Sequence, residues 1–323
     1  MKRLDCFVGV KSVALIVHID PDTDALASAT VFRNFLKSQF KIKKVDIFAE
    51  CKTVEPNLEA VIEGVEINKP ISKYHTAVIM DCPNVDRVGK YAEIYHNAKQ
   101  KINIDHHATN IIKADKKFAR VVSSTCEIIY QLFKPYHYQM SDADKGKIYA
   151  GIITDTNNFS VGAMTPETFK IVSEILPNID VDKIYNHFFC NNSLRNMQLL
   201  SKAVENIVTF NHGRIVISHI TKEQAQMFKA REEDYIGISN RLAAISGCRL
   251  MCFSHPKNGL YYVSLRARNG GDVSGVALKN GGGGHKGAAA FNSTLDLADI
   301  EQNILQDFTK VLSKTKPTKE KIF

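Results

Sequence analysis

Histidine and aspartate side chains recur directly after apolar segments of this chain. The stretch HIDPDTD at residues 18–24 follows the apolar run VALIV, Asp81 ends TAVIMD, and the sequence DHH at residues 105–107 follows KINI. Asp155 ends a fourth apolar segment, GIITD. Carboxylates gathered in one place repel each other strongly unless a cation compensates their charge. Oxygen and imidazole ligands without thiolates favour a hard or borderline divalent ion, with manganese first and iron, cobalt or magnesium behind it.

These side chains outnumber the ligands of a single metal ion. The candidates are His18, Asp22, Asp24, Asp81, Asp105, His106 and Asp155. Such a set suits two metals about 3.5 to 4 Å apart that share a carboxylate and a water. Because a shared water loses its proton near neutral pH and can attack a phosphorus held against both ions, we predict hydrolysis of a phosphoester or phosphoanhydride. A helix cap would explain Asp22 or Asp24 alone, but it does not explain the whole set.

Alternating strands and helices must bring these residues together. Strand patterns at SVALIVHI, KVDIFAE, TAVIMD and KINID alternate with helical patterns such as DALASATVFRNFLKSQF. Further helices are predicted at STCEIIYQLF, DADKGKIYAGIITD and TPETFKIVSEIL. This order predicts an α/β fold with a parallel sheet. Since ligands of open parallel sheets bind at the carboxyl ends of the strands, the acidic and histidine residues should meet in one crevice.

The pattern changes near Ser193, where a second region begins. We predict a first domain with the candidate metal ligands at residues 1–190, a helical linker at 191–209 and a smaller α/β domain at 210–323. The linker is predicted from SLRNMQLLSKAVENIVTF, which has the spacing of one long amphipathic helix. The last domain has strand patterns at RIVISHI, CRLMCFSH and YYVSLRAR, a short helix, and a final helix at LADIEQNILQDFTKVLSK.

The composition is that of an ordinary globular protein. The chain has 323 residues, of which 44% are hydrophobic and 24% charged, enough for two domains with sizeable cores. No run reaches the roughly 18 apolar residues of a membrane span, and no small-residue cleavage site follows the amino-terminal segment. Seven cysteines, an odd number, argue for reduced thiols. We therefore expect a cytoplasmic protein without a membrane partner, and the net charge of +8 suggests anionic partners.

A glycine run and two arginines indicate a second functional region. The run NGGGGHKGAAAF at residues 280–291 allows a ligand to approach the main chain and leaves amides to bind an anion. Two arginines in LRAR are two residues apart on a predicted strand, so both point to one face, where two guanidiniums can hold a phosphate. The candidate substrate-binding residues are Arg266, Arg268, Gly282, Gly283, Gly284 and His285.

The motifs together resemble the DHH phosphoesterase family. HIDPDTDALAS is similar to the first family motif, VIMDCP to the second, NIDHHATN to the third and GIITDTNNF to the fourth. LRAR and NGGGGHKGAAAF resemble the substrate-binding domain that follows the DHH domain in this family. The resemblance covers both regions of the chain, and it implies an active site in the cleft between the two domains.

The resemblance also implies a role for each candidate residue. Two ligand sets follow from it: His18, Asp22 and Asp81 for one metal ion, and Asp24, Asp81, His106 and Asp155 for the other. Asp81 would bridge the two ions. His107 would face the scissile phosphate as a catalytic residue, and Asp105 would orient its neighbours. Arg266 and His285 would contact the end of the nucleotide remote from the cut.

The branch that the chain most resembles hydrolyses very short oligoribonucleotides, linear dinucleotides and 3'-phosphoadenosine 5'-phosphate. The resemblance therefore implies a two-manganese phosphoesterase whose partner is short RNA or a dinucleotide, and it leaves a homodimer open. A cyclic dinucleotide phosphodiesterase and a RecJ-like exonuclease are alternatives, although no OB-like module for longer strands is recognisable. An inorganic pyrophosphatase is disfavoured because the second domain of those relatives lacks GGGGH. A nucleotide-binding sensor without turnover is disfavoured because every predicted ligand is present.

Overall fold

The computed structural model of the chain describes residues 4–51, 56–62, 65–160 and 162–314. The chain forms two compact units, Met1–Asn191 and Asn192–Phe323. None of the helices in the described ranges is both long enough and apolar enough to cross a membrane.

The described part of the first unit contains a six-stranded parallel sheet, which confirms the predicted fold class. Its strands are β1 (Ser12–Ile16), β2 (Lys44–Ala49), β3 (Glu66–Ile67), β4 (Thr76–Met80), β5 (Gln100–Asp105) and β6 (Lys116–Ala119). They lie in the order β3-β2-β1-β4-β5-β6, and every neighbouring pair is parallel. The four strand patterns identified in the sequence correspond to β1, β2, β4 and β5, whereas the shorter edge strands β3 and β6 were not predicted.

Strand β4 shows why β1 and β4 are apolar after their first residue. Val78 and Met80 pack in one layer of the core, whereas Ala77 and Ile79 pack in the other. Successive side chains of a strand point to opposite faces, so a sheet covered on both faces requires a continuous apolar run. The candidate ligands His18 and Asp81 consequently come only after β1 and β4 have ended.

Helices cover both faces of this sheet. They are α1 (Thr23–Gln39), α2 (Ala92–Asn97), α3 (Thr125–Phe133), α4 (Asp142–Asp155), α5 (Pro166–Ile175) and α6 (Val181–Phe189). Side-chain oxygens cap the amino ends of α1, α3 and α4 at Asp22, Ser124 and Ser141. Because the α1 cap Asp22 and the first-turn residue Asp24 are both predicted metal ligands, the start of that helix is part of the candidate site.

The second unit contains a mixed sheet beside its own helices. Its elements are α7 (Leu194–Glu205), β7 (Val208–Phe210), β8 (Ile215–His219), α8 (Lys222–Met227), α9 (Ile238–Ala243), β9 (Leu250–Lys257), β10 (Leu260–Ala267), α10 (Ser274–Lys279), β11 (Gly283–His285), β12 (Ala288–Ser293) and α11 (Leu297–Lys314). The order is β11-β12-β10-β9-β8-β7, with β8 and β9 parallel and the other pairs antiparallel. An α/β second domain is therefore confirmed.

Two details differ from the sequence prediction. The helix predicted to continue through residue 210 ends at Glu205, and Val208–Phe210 forms an edge strand paired with β8. β-branched residues at this point favour the extended backbone. In addition, α7 packs in the core of the second unit, where Leu199 and Ala203 are fully buried. The segment predicted as a linker thus contributes to the fold of the second unit.

Candidate metal centre

Most candidate ligands lie beside β1 and β4, at the carboxyl edge of the parallel sheet. The strand order reverses between these two strands, since β2 follows on one side and β5 on the other. Loops that leave neighbouring strands in opposite directions open a crevice at such a point, the usual ligand position in open α/β sheets. His18 lies two residues after β1, Asp81 directly follows β4 and Asp105 ends β5. The topology therefore gathers residues that are distant in sequence.

Two imidazoles turn the same nitrogen towards the carboxylates. His18 donates from Nδ1 to the carbonyl oxygen of Ile19 at 2.8 Å, and His106 donates from Nδ1 to the carbonyl oxygen of Val122 at 3.1 Å. A carbonyl oxygen only accepts, so each Nδ1 carries the hydrogen and each Nε2 is left to face the acidic cluster. Backbone contacts that fix tautomer and ring orientation in this way are typical of metal-binding histidines.

The distances from these nitrogens fit ligands of shared ions. His18 Nε2 lies 3.8 Å from Asp22 Oδ2 and 4.0 Å from Asp81 Oδ2. His106 Nε2 lies 3.4 Å from Asp81 Oδ1 and 3.3 Å from Asp155 Oδ2. Two atoms that each lie about 2.1 Å from one ion are at most about 4.2 Å apart, and all four separations fall within that limit. Asp81 therefore turns one oxygen towards each imidazole.

The two aspartates at the start of α1 are held by different helix ends. Asp22 accepts from the amide of Ala25 through Oδ1 at 3.0 Å, which turns Oδ2 into the cluster. Asp24 is fully buried and accepts from the amides of Thr125 at 2.7 Å and Cys126 at 2.9 Å, at the beginning of α3. The positive end of α3 thus stabilises the ionised form of Asp24.

Three groups of candidate ligand atoms result, and the atoms of each group lie within 4.8 Å of one another. The groups are His18 with Asp22 and Asp81, Asp24 with His106 and Asp155, and Asp81 with His106 and His107. The first group has the same members as the first predicted ligand set, and the second group contains the members of the second set except Asp81, which lies with His106 in the third group. Among the described residues, Asp105 belongs to none of the three, although sequence reasoning alone counted it as a candidate ligand.

Burial and charge repulsion add protons to this cluster in the absence of a metal. Burial raises the pKa of Asp155 to about 7, and it also raises the pKa of Asp24 and of Asp81. Burial by itself lowers the pKa of His106, but the carboxylates of Asp24, Asp81 and Asp155 outweigh it and raise the pKa to about 9. A cluster that holds protons so firmly fits a cation, because a divalent ion supplies the positive charge that those protons provide.

The donor atoms also suit the predicted type of ion. The Cys126 thiol lies beside the cluster, where its Sγ contacts the backbone oxygen of Asp24 at 3.8 Å. Burial raises the pKa of this thiol well above its ordinary value, so the sulfur stays protonated and is a poor ligand. Carboxylate oxygens and imidazole nitrogens remain, and these donors fit manganese and similar divalent ions.

His107 is held by Asp105. Its Nδ1 lies 2.7 Å from Asp105 Oδ1, and the other Asp105 oxygen accepts from the side-chain amide of Asn110. Asp105 is fully buried, whereas 30% of the His107 side chain is exposed. The buried Asp105 carboxylate therefore fixes the His107 ring through Nδ1. The second ring nitrogen, Nε2, is left for another partner. The distance from His107 Nδ1 to Asp81 Oδ1 is longer, at 3.8 Å.

Some contacts of the site were not predicted from the sequence. Thr125 donates its hydroxyl to Asp81 Oδ1 at 2.9 Å, and Asn110 donates to Asn103 as well as to Asp105. Asn103 and Asn110 both lie within NIDHHATN, so the motif itself contained a signal for them. Thr125 gave no such signal, because a threonine at a helix start is ordinarily explained by capping.

Gly151 lets α4 approach the acidic cluster closely. A Cβ added at this position would lie 2.7 Å from Asp24 Oδ1 and closer still to the Cys126 sulfur. We expect Gly151→Ala to lower the free energy of unfolding of the metal-free protein by about 1 to 3 kcal/mol, because overpacking exceeds the gain in helix propensity. Urea denaturation followed by circular dichroism measures this difference.

Gly146 on the same helix provides the matched control. A Cβ there would meet Ile184 at an ordinary 3.6 Å. We therefore expect Gly146→Ala to stabilise the protein by up to about 1 kcal/mol through helix propensity. A Gly151→Ala variant as stable as Gly146→Ala would contradict the close approach of α4 to Asp24.

In the second unit, Arg266 is the candidate with the most contacts. Its Nε donates to Asn240 Oδ1 at 2.8 Å, and its Nη1 donates to Ser264 Oγ and to the carbonyl oxygen of Leu265, both at 3.0 Å. These contacts hold the half-buried guanidinium in one orientation. Arg268 is exposed and follows the end of β10, so the same-face argument from strand spacing does not extend to it.

Close packing explains some glycines of the run NGGGGHKGAAAF but not others. A Cβ on Gly282 would lie 2.8 Å from the Cα of Phe291, and one on Gly284 would lie 2.6 Å from the Ala288 oxygen, so β11 can pair with β12 only without these side chains. Gly283 faces open space among the described residues, and His285 at the end of β11 is exposed. Gly282 and Gly284 therefore serve the hairpin, irrespective of any ligand.

Comparison with known proteins agrees with the motifs. The bifunctional oligoribonuclease and PAP phosphatase NrnA of Bacillus subtilis is 25% identical over 301 residues, which cover 90% of this chain and 94% of that protein. The crystal structure of an exopolyphosphatase-related protein from Bacteroides fragilis superposes with a TM-score of 0.85 at 23% identity, covering 94% and 93% of the two chains. The exonuclease RecJ bound to manganese gives a TM-score of 0.59 at 12% identity, with 96% and 93% covered.

The two structural similarities concern the fold, which they share across most of this chain. By sequence, residues 12–154 match the DHH family, N-terminal domain. This range begins at β1 and ends within α4, so it includes all of the parallel sheet and every candidate ligand except Asp155, the residue that follows it. The resemblance to the DHH family is therefore confirmed over residues 12–154.

Proposed function

We propose that the chain is a two-metal phosphoesterase that hydrolyses short oligoribonucleotides and linear dinucleotides to nucleoside monophosphates. The convergence of His18, His106 and four aspartates at the switch point of the sheet carries this proposal, because both imidazoles hold Nε2 towards Asp81. Phosphate groups are strongly anionic and are repelled by carboxylates. Such a cluster can therefore bind a phosphate only when cations occupy it.

Two ligand sets are proposed for the ions: His18, Asp22 and Asp81 for one, and Asp24, Asp81, His106 and Asp155 for the other. Manganese is proposed because of the oxygen and imidazole donors, and the manganese bound to the structurally similar RecJ supports this assignment. Divalent ions held by these residues would supply positive charge for a phosphate and would lower the pKa of a water molecule. Backbone carbonyl oxygens orient the two histidine ligands by accepting from Nδ1 of His18 and of His106. Backbone amides at the start of α3 orient Asp24.

His107 is proposed as the catalytic residue that acts on the phosphate. Asp105 holds its Nδ1, so that Nε2 can donate a hydrogen bond to a phosphate oxygen or transfer a proton to the leaving group. The exposed part of the ring is consistent with access by a substrate, whereas the buried Asp105 keeps the ring from turning. Asp105 therefore acts through His107 and not on the substrate.

The substrate range is proposed from the name of the Bacillus subtilis relative, which describes an oligoribonuclease that is also a PAP phosphatase. The test is release of nucleoside monophosphate by the purified protein with Mn²⁺ from a 5'-phosphorylated dinucleotide, a 24-mer RNA, cyclic dinucleotides and 3'-phosphoadenosine 5'-phosphate. We expect turnover of the linear dinucleotide and of phosphoadenosine phosphate, and little of the 24-mer. Faster cleavage of a cyclic dinucleotide or of the 24-mer would replace this proposal by the corresponding alternative, and absence of any turnover would refute it.

Manganese affinity should rise with pH. His106 must lose its proton and Asp155 must be ionised before either binds a metal, and their pKa values in the metal-free protein are raised to about 9 and about 7. Each proton displaced adds about one unit to the slope of log affinity against pH. We therefore expect a slope of at least about 1 between pH 7 and 8.5 and a steeper one below pH 7. Titrations followed by the electron paramagnetic resonance of free Mn²⁺ measure it, and an affinity independent of pH would contradict the ligand assignment.

Arg266 is proposed to bind the end of the nucleotide remote from the cut, together with His285. Such an interaction is present in both the ground state and the transition state, so Arg266→Ala should mainly raise KM for a dinucleotide. Loss of a charge-assisted contact is worth roughly 1.5 to 3 kcal/mol, or about 10-fold to 150-fold in affinity. Steady-state kinetics with the dinucleotide measure this change.

The generic ester bis-p-nitrophenyl phosphate is the control substrate, because it has no remote end and should be hydrolysed by Arg266→Ala at nearly the normal rate. Arg231 is the matched control position, since it is exposed on the same unit and paired with Glu233 at 3.0 Å. Arg231→Ala should leave both substrates unaffected. If Arg266→Ala lost the same factor of activity on the dinucleotide and on the generic ester, Arg266 would not bind the remote end of the nucleotide.

A further inference from the structure

The amino end of α3 contacts two candidate ligands at once. Thr125 donates its hydroxyl to Asp81 Oδ1 at 2.9 Å and its backbone amide to Asp24 Oδ2 at 2.7 Å. The next amide, that of Cys126, donates to Asp24 Oδ1 at 2.9 Å. A single helical turn therefore binds two carboxylates that come from α1 and from the end of β4.

The Asp81 carboxylate depends on such a contact for its rotation. The terminal torsion of an aspartate has a broad energy profile, so the plane of the two oxygens is not fixed by the side chain itself. At Asp81 the plane matters because Oδ1 lies 3.4 Å from His106 Nε2 whereas Oδ2 lies 4.0 Å from His18 Nε2. The Thr125 hydroxyl binds one of these oxygens and thereby sets the direction of both.

The position of Thr125 is itself fixed by a buried polar network. Ser124 caps α3 by accepting from the amide of Glu127 at 3.1 Å. The Glu127 carboxylate is fully buried and accepts from the hydroxyls of Ser123 at 2.5 Å and of Thr168, the latter at 2.7 Å. Thr168 belongs to α5, so the start of α3 is held from a second helix. A threonine in so rigid a place cannot move to follow a rotating carboxylate.

We propose that Thr125 is a positioning residue: it orients the Asp81 carboxylate so that Oδ1 faces His106 and Oδ2 faces His18. This inference rests on the proposed function. Its hydroxyl acts through Asp81 and does not touch the substrate. Residues that orient metal ligands typically contribute about 10-fold to 100-fold to metal affinity or activity. The helix contact to Asp24 comes from backbone amides, so it survives any substitution at position 125 that keeps the helix.

Thr125→Val tests the proposal, since valine has nearly the shape of threonine, with a methyl group in place of the hydroxyl. We expect its Mn²⁺ affinity, measured by electron paramagnetic resonance of free Mn²⁺, to fall by about 10-fold to 100-fold. Thr125→Ser restores the hydroxyl and should restore the affinity. Thr30→Val is the matched control, because Thr30 is a fully buried threonine on α1 whose hydroxyl donates to the Val61 oxygen at 3.2 Å. It should lose stability and keep its Mn²⁺ affinity.

Activity gives a second measurement. At saturating Mn²⁺, Thr125→Val should keep the KM of the dinucleotide and lose kcat, because misplaced ligands affect the reacting phosphate and not the remote contact. A Mn²⁺ affinity of Thr125→Val equal to that of wild type, in a wild-type protein that binds Mn²⁺ and cleaves the dinucleotide, overturns the role of Thr125 alone. A wild-type protein that neither binds Mn²⁺ nor cleaves any substrate overturns the proposed function instead. Should Thr125→Val fail to fold, Thr125→Ala removes the same hydroxyl together with the methyl group and places nothing new beside Asp81, and the same outcomes apply.

Discussion

We expect Asp81→Asn to reduce turnover of a dinucleotide by about 10³-fold or more, equivalent to about 4 kcal/mol of transition-state stabilisation. The proposed role of Asp81 would require two acceptor oxygens that share one negative charge, whereas an amide is neutral and has a single acceptor oxygen. Asparagine is the appropriate substitution because Asp81 has a left-handed backbone, with φ of 50°, and asparagine also adopts that region. Its amide oxygen can still accept from the Thr125 hydroxyl.

The stability of Asp81→Asn should change in opposite directions with and without metal. Burial raises the pKa of Asp81 in the folded protein, so the ionised carboxylate destabilises the metal-free fold at neutral pH and an uncharged side chain removes that cost. The metal-free variant should therefore have a Tm at least as high as that of wild type, whereas the increase in Tm on adding Mn²⁺ should be much smaller. Differential scanning calorimetry with and without Mn²⁺ measures both effects.

Asp86→Asn is the control for this experiment, since Asp86 is exposed and lies outside the three ligand groups. It should keep normal turnover and the normal increase in Tm with Mn²⁺. Two tightly bound ions and a normal rate in Asp81→Asn would exclude Asp81 as the bridging ligand.

His107→Ala should lose about 10² to 10⁴-fold in kcat, the usual range for a group that donates or transfers a proton, while it keeps most of its bound manganese. The reason is that Asp105 engages His107 Nδ1 at 2.7 Å, whereas Asp81 Oδ1 lies 3.8 Å away. Mn²⁺ stoichiometry by atomic absorption and kcat with the dinucleotide are the two measurements.

The adjacent histidine provides the comparison, because His106 holds Nε2 within 3.4 Å of Asp81 and 3.3 Å of Asp155. His106→Ala should lose bound manganese as well as activity. His107 also shares a ligand group with Asp81 and His106. A loss of manganese in His107→Ala as large as that in His106→Ala would therefore make His107 a metal ligand and remove its proposed role on the phosphate.

The sequence by itself determined which residue types gather at the carboxyl edge of the sheet. Continuous apolar runs are local signals, and these runs ended in the polar residues that the structure places at the carboxyl ends of β1, β4 and β5. A parallel α/β sheet carries these strand ends to the same edge, so the gathering of His18, Asp81 and Asp105 needed no knowledge of packing. Interactions between residues near in sequence were predictable for the same reason, as with the Asp22 cap of α1.

Only the tertiary structure decided how each of these side chains is oriented. Asp24 is held by amides 101 and 102 residues further along the chain, and the Asp81 rotation depends on a hydroxyl from the same helix end. Gly151 is required because α4 passes close to Asp24, a fact that no local pattern contains. Likewise, Gly282 and Gly284 are explained by the backbone of β12. Such contacts arise from the packing of distant elements, and the periodicity of a sequence records only which face of an element is buried.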